Sequence, residues 1–174
     1  MLEPGQPAPS FELPDADMQE VSLSAFKGKK NVVLYFYPKD GTPGCTIVTT
    51  DFSDHEDEFG KHDCVVVGIS RDDCLTHADF RDRNGIAIAL LSDPEGDVCR
   101  KYGVIQEKEA DGVRRECLVR STFVIDKKGV IRHAAYGINP RGHAMEVFDL
   151  VRRLRSQAAT PSSPCASSCM TPRA

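Results

Sequence analysis

The residues best able to do chemistry lie together in Tyr35-Phe36-Tyr37-Pro38-Lys39-Asp40-Gly41-Thr42-Pro43-Gly44-Cys45-Thr46. A strand-like apolar run, Val32 to Tyr37, leads in, and a helix-like segment follows. That junction places Cys45 in the first turn of a helix, beyond the carboxyl end of a buried strand. Free backbone N–H groups and the positive end of the helix dipole converge there. Thiols so placed are biased toward thiolate, from a free value of about 8.5 toward neutrality. Thiolate is the attacking form, so Cys45 is a candidate nucleophile. The bland alternative is a buried structural cysteine. The glycines and prolines before Cys45 argue against it, because they predict an exposed turn. Thr42 stands just before Pro43, where it reads as a helix N-cap. Pro38 ends the strand without offering an N–H.

The chain has seven cysteines: Cys45, Cys64, Cys74, Cys99, Cys117, Cys165 and Cys169. The number is odd and no Cys-x-x-Cys occurs. A secreted disulfide framework fits badly, and a reducing cytoplasm with one or two functional thiols fits better. Cys64 is expected in the core and Cys99 half-buried on a helix. The histidines His55, His62, His77, His133 and His143 show no metal-ligand spacing. His62-Asp63-Cys64 straddles a strand entry, so its side chains diverge. No metal and no cofactor are assigned.

The elements that position Cys45 are read from periodicity. Glu20 to Ser24 alternates as a short strand after a turn at Pro14 to Asp17. Asn31 to Tyr37 is a continuous strand buried on both faces. From Cys45 to Phe59, Val48, Phe52 and Phe59 fall at helical spacing. Cys64 to Ile69 is a second buried strand, which implies a right-handed parallel unit. Asp72 to Arg83 predicts a helix burying Leu75, Ala78 and Phe80, stopped by Asn84-Gly85. Ala87 to Leu91 is a third strand. Pro94 to Tyr102 predicts a short helix capped by Asp93. Val119 to Ile125 and Val130 to Tyr136 flank the hairpin signal Asp126-Lys127-Lys128-Gly129. Pro140 to Arg155 closes the domain as an amphipathic helix through Ala144, Val147, Phe148, Val151 and Leu154. The expected architecture is α/β: a central mixed sheet flanked by helices, with an N-terminal strand or hairpin extension.

The string Tyr37-Pro38-Lys39-Asp40-Gly41-Thr42-Pro43-Gly44-Cys45-Thr46, with Gly68-Ile69-Ser70, Leu91-Ser92-Asp93 and Arg120-Ser121-Thr122-Phe123-Val124-Ile125-Asp126, resembles the peroxiredoxins. Within them it is similar to the Q-type, or bacterioferritin comigratory, subfamily. The likeness runs from about Gly5 to Leu154 in matching order and spacing. It implies a thioredoxin-like fold and a thiol-dependent peroxidase. Hydrogen peroxide and organic hydroperoxides are the implied substrates, with a cysteine sulfenic acid intermediate. It also implies roles for residues. The Thr42 hydroxyl contacts the reacting sulfur and the peroxide. Pro38 keeps water from the thiolate. Arg120 favours the thiolate and binds peroxide oxygen. Gly44 and Cys45 offer backbone N–H groups to the substrate. The implied reductants are thioredoxin, glutaredoxin with glutathione, or another thiol. Q-type relatives point to a monomer.

The resemblance leaves the resolving thiol open. Many Q-type relatives carry a cysteine five residues downstream of the nucleophile, where this chain has Thr50. Others carry one within the next helix, where it has Asp79, Phe80 and Arg81. The expectation is a one-cysteine mechanism with an external thiol. Cys74 is the leading internal alternative, followed by the tail cysteines Cys165 and Cys169. A glutathione peroxidase is disfavoured because its site calls for tryptophan, and the chain has none. A thiol–disulfide oxidoreductase needs Cys-x-x-Cys. A redox-sensing or holdase protein is the rival from another class.

The net charge of −4 over 174 residues gives no sign of a nucleic-acid or membrane-surface partner. The apolar runs are strand-sized, short of the ~18 residues of a membrane span. Met1-Leu2-Glu3-Pro4-Gly5 has neither the basic nor the apolar region of a signal peptide. Residues 1–156 are expected to form one domain. The Ala, Thr, Pro, Ser and Cys residues from Gln157 onward cannot bury enough to order themselves and are expected to form a disordered tail. The Cys165/Cys169 pair reads as a redox pair, a metal clip or an inert tail, the last being favoured. Deleting Gln157 to Ala174 should leave the melting temperature nearly unchanged, and a drop of several degrees would show that the tail docks.

Overall fold

Strand β3, Asn31–Phe36, is built around Val32, Val33, Tyr35 and Phe36, β-branched and aromatic residues that favour a strand, and all six of its residues are buried. In the computed structural model, which describes residues 2–139 and 141–159 without the side chains of 110 and 155–159, it forms the centre of a five-stranded sheet. The order is β5 (Ala89–Ser92), β4 (Cys64–Ser70), β3, β8 (Ser121–Ile125) and β9 (Ile131–Tyr136). β3 runs parallel to β4 and antiparallel to β8, so the sheet is mixed as predicted.

Strand alternation sends β3 side chains to two separate cores. Val33, Tyr35 and the following Tyr37 pack on one face. There they meet Val48 and Phe52 of α1 (Pro43–Asp54), Phe59 of α2 (Glu56–Lys61), Phe80 of α3 (Cys74–Asn84) and Val147, Phe148 and Val151 of α5 (His143–Ala159). Val32, Leu34 and Phe36 pack on the other face. Their neighbours there are Leu13 of β1 (Glu12–Pro14), Leu23, and Val98 and Cys99 of α4 (Asp97–Lys101). β1 pairs with β2 (Glu20–Ser22) as the expected N-terminal hairpin.

Several boundaries differ from the sequence reading. The single helix expected from Cys45 to Phe59 breaks at His55 (φ −103°, ψ 8°). The His55 Nδ1 lies 2.8 Å from the Asp51 carbonyl, a local bond that competes with the helix. Glu56, Asp57 and Glu58 suit the first turn of a new helix better than the last turn of an old one. In α3, Leu75 is 70% exposed, not buried. The inward face is His77 and Phe80, three residues apart, and Leu75 points away from it. The stop at Gly85 is left-handed (φ 62°).

Asp93 does not cap a helix at Pro94. Gly96, left-handed at φ 75°, makes the turn into α4, and the Asp93 carboxylate accepts the Cys99 N–H at 2.9 Å. Cys99 is fully buried rather than half-buried. A charged hairpin, β6 (Ile105–Ala110) with β7 (Val113–Leu118), was not expected. Its Asp111-Gly112 turn, both residues at positive φ, is the signal that would have found it. The strand expected from Val119 begins only at Ser121, which leaves Arg120 in a connector. Helix α5 starts at His143 and runs to Ala159, past the predicted end at Arg155. Cys165, Cys169 and the rest of the expected tail from Thr160 lie outside the described residues.

His143, at the start of α5, is 4% exposed and lies 2.7 Å from Thr122 Oγ1. Burial, then the nearby His133, lowers its pKa from 6.5 to about 4. The unfolded chain therefore binds this proton more readily than the folded one. The His143 contribution to stability is complete above about pH 6.5 and is lost as pH falls toward 4. That share should be on the order of 2 kcal/mol. Denaturant titrations of the parent and His143→Asn between pH 7 and 4 check it, and equal pH slopes in the two proteins would refute it.

Candidate active site

The chain leaves β3 through Tyr37, which is buried, and bends at Pro38 and Lys39, which are exposed. Asp40 turns back into the protein and is 8% exposed. Gly41 is left-handed at φ 83°, a turn that only glycine makes without strain. Thr42 is extended (φ −73°, ψ 147°) in the N-cap place, and Pro43 opens α1. Cys45 is the third residue of that helix. The first helical hydrogen bond runs from Thr46 N–H to the Thr42 carbonyl (2.9 Å). The amides of Gly44 and Cys45 precede it and remain free of intrahelical partners, as the first turn requires.

Cys45 is fully buried, where an exposed turn was expected. The turn itself is exposed; the thiol lies beneath it against the apolar core of the helical face. Arg120 reaches it from the connector before β8 and donates from Nη2 to Cys45 Sγ at 3.4 Å. The Arg120 backbone is held in place by its carbonyl, which accepts the N–H groups of Gly137 (2.9 Å) and Ile138 (3.1 Å). Gly44 lies directly against the guanidinium. A Cβ there would sit 2.8 Å from Nη2, so any larger residue displaces the arginine. Partial burial works against the Arg120 charge, but contacts with Cys45 and Tyr35 outweigh it and raise the pKa of the group.

Tyr35 is a third member of this group that sequence reasoning missed. Its hydroxyl is buried without a hydrogen-bond partner, as is Arg120 Nε. Burial, then the charge of Cys45, holds the phenol proton well above its ordinary value, and Arg120 partly opposes this. The only sequence signal was its place on β3, two residues before Tyr37 and so on the same face.

Thr42 is beside the nucleophile in sequence, but its hydroxyl neither caps α1 nor bonds the sulfur. It donates to the Lys39 carbonyl at 3.2 Å. Pro38 is exposed at the bend. Cys74 is half-buried in the first turn of α3, and Cys117 is half-buried on β7. Burial pushes the Cys64 thiol up to about 12. It raises Cys99 as well, with the Asp93 carboxylate adding to the effect. Among the described residues, Cys45 alone pairs with a guanidinium.

The model of the AhpC/TSA family matches residues 4–134. A peroxiredoxin relative from Mycobacterium tuberculosis is 42% identical over 146 residues, 84% of this chain and 92% of its own. Peroxiredoxin Bcp of Bacillus subtilis is 36% identical over 151 residues, 87% of this chain and 96% of its own. Among solved structures, the Xanthomonas campestris bacterioferritin comigratory protein, described for its alkyl peroxide reduction activity, superposes with a TM-score of 0.81 at 33% identity. That match covers 83% of this chain and 92% of the Xanthomonas one. The sheet and its helices thus form a thioredoxin-like fold. With a family model spanning most of the domain and relatives aligned over most of both chains, this protein belongs to the AhpC/TSA family as a Q-type (Bcp) peroxiredoxin, a thiol-dependent peroxidase.

Proposed function

We propose that Cys45 is the nucleophile, reducing hydrogen peroxide and organic hydroperoxides. The observation that carries this is the Arg120 Nη2 contact, 3.4 Å from a sulfur in the first turn of α1. The Cys45 sulfur forms a bond to the distal peroxide oxygen as the O–O bond breaks. The electron pair leaves on the proximal oxygen, which takes a proton and departs as water or an alcohol. Sulfur is oxidised to sulfenic acid and the peroxide is reduced. Arg120 and the free amides of Gly44 and Cys45 stabilise the charge moving onto oxygen. The Thr42 hydroxyl turns from the Lys39 carbonyl toward the substrate. Pro38 closes the approach on the solvent side.

The sulfenic acid then reacts with an external thiol to give a mixed disulfide and water, and a second thiol releases Cys45 reduced. Thioredoxin and the glutaredoxin/glutathione couple are the reductants in this scheme. Thr50 stands at the five-residue position in α1, and Asp79, Phe80 and Arg81 stand within α3, which supports a one-cysteine route. Cys74 is the first internal alternative, and Cys165 and Cys169 come after it. The five described cysteines are all free, which fits a reducing cytoplasm. No helix among the described residues is long and apolar enough to cross a membrane. The protein is proposed to act as a monomer.

Cys45→Ser should abolish peroxide consumption, and turnover at even a tenth of the parent rate would sink the assignment. Arg120→Met and Thr42→Val should each slow peroxide attack by ~10²–10³, or about 2–4 kcal/mol in the transition state. Gly44→Ala should imitate the arginine variant in part, because the added methyl would lie 2.8 Å from Nη2 and push the guanidinium aside, with a loss of about 10-fold. A parent-like rate in Gly44→Ala would show that the arginine has room to shift. Oxidation without added thiol, followed by a sulfenic-acid probe, tests resolution. Persistent labelling at Cys45 is expected, and rapid loss to a Cys45–Cys74 disulfide would reject the one-cysteine route.

A further inference from the structure

Asp40 lies in the turn between β3 and Cys45, and its carboxylate is buried among three elements. Oδ1 accepts the Tyr37 hydroxyl at 2.6 Å. Oδ2 lies 2.6 Å from Nδ1 of His77, the inward residue of α3. His77 is fully buried, and its Nε2 lies 2.9 Å from the Leu91 carbonyl on β5. A carbonyl only accepts, so Nε2 carries a hydrogen, and one more proton is shared between Nδ1 and Oδ2. Around this pair, the Asp40 N–H donates to Asp72 Oδ2 at 2.7 Å. Ser70 Oγ donates to the same oxygen at 3.0 Å, and the Ser92 hydroxyl bonds the Asp72 carbonyl. Gly68 makes room: a Cβ there would lie 3.2 Å from the Tyr37 ring and 3.1 Å from Leu90. Gly68, Ser70, Leu91 and Ser92 thus touch the partners of Asp40, namely Tyr37, Asp72 and His77.

We infer that His77 is a positioning residue: by holding Asp40, it fixes the turn from Tyr37 to Thr42 and so the start of α1 that carries Cys45. A core histidine with satisfied nitrogens needs no carboxylate. A buried carboxylate is costly unless paired and hydrogen-bonded, so the chain has reason to keep Asp40 inside only with His77 present. The turn is otherwise exposed at Pro38, Lys39 and Gly41. Between the buried end of β3 and Thr42, Asp40 is the one buried residue, and His77 links it to α3 and to β5.

The inference rests on the role proposed for Cys45, and two isosteres separate it from a packing effect. His77→Asn places an amide N–H near the Nδ1 position and keeps the bond to Asp40. His77→Gln reaches the Nε2 position and keeps the bond to Leu91. Cys45 oxidation by hydrogen peroxide is followed by quenching and mass spectrometry, alongside alkylation by iodoacetamide, which needs no peroxide geometry. His77→Gln should lower the oxidation rate about 10-fold or more without an equal fall in alkylation, while His77→Asn stays within about threefold of the parent. Equal losses in both variants, or a parent-like rate in His77→Gln, would overturn the inference. If His77→Gln does not fold, Tyr37→Phe decides. It removes one of the two side-chain bonds to the Asp40 carboxylate and should cost about 10-fold, and a rate within about threefold of the parent would overturn the proposal. Peroxide consumption by Cys45→Ser, with mass mapping of the remaining cysteines, reads the underlying assignment by itself. Peroxide consumed there at another cysteine removes the nucleophile and this inference together. A silent Cys45→Ser with a parent-like His77→Gln removes this inference alone.

Discussion

The site depends on one close approach, a guanidinium laid against a thiol across a residue with no side chain. Sulfur on its own is a poor partner for a buried charge, and arginine is costly to withdraw from water. Each meets the other's need only if the gap between them stays narrow. Gly44 keeps it narrow, because a methyl group there would come within 2.8 Å of Nη2. The rest of the local backbone follows. Gly41 makes the left-handed turn, Pro43 sets the first helical residue, and the first-turn amides of Gly44 and Cys45 are left without intrahelical partners.

The sheet supplies the rigidity that such an approach requires. β3 is buried on both sides, and its two side-chain sets anchor two different cores. The loop that leaves it starts from a fixed point. Arg120 arrives from the opposite direction, just ahead of β8, the antiparallel neighbour of β3. Adjacent strands of one sheet therefore fix Cys45 and Arg120 relative to each other.

Much of this was legible in the sequence. The place of Cys45 in the first turn of a helix was readable because a strand, a glycine–proline turn and a helix succeed one another within a few residues. Arg120 was readable only through its resemblance, since no local pattern links it to a residue 75 positions away. Tyr35 and His77 were not readable as members of the site. Their meaning lies in which face of an element they occupy and what crosses it, and periodicity reports burial without naming the neighbour. Leu75 shows the same limit from the other side: an apolar residue in a helix pattern reads as inward, yet the inward residue beside Phe80 is the polar His77. The break at His55 was hidden because hydrophobic spacing continues through it while the backbone does not.

The charged hairpin of β6 and β7 has a wider consequence. It leaves the domain after Val104 and returns at Val119, where the Val119 N–H closes it onto the Val104 carbonyl at 2.7 Å. That closure lies one residue before Arg120, so the hairpin's length and tip are uncoupled from the arginine. A foreign segment spliced between Asp111 and Gly112 would ride on a stalk whose base is already latched. The fold thus offers a ready insertion point for a reporter module, close in the chain to the peroxide chemistry yet mechanically separate from it.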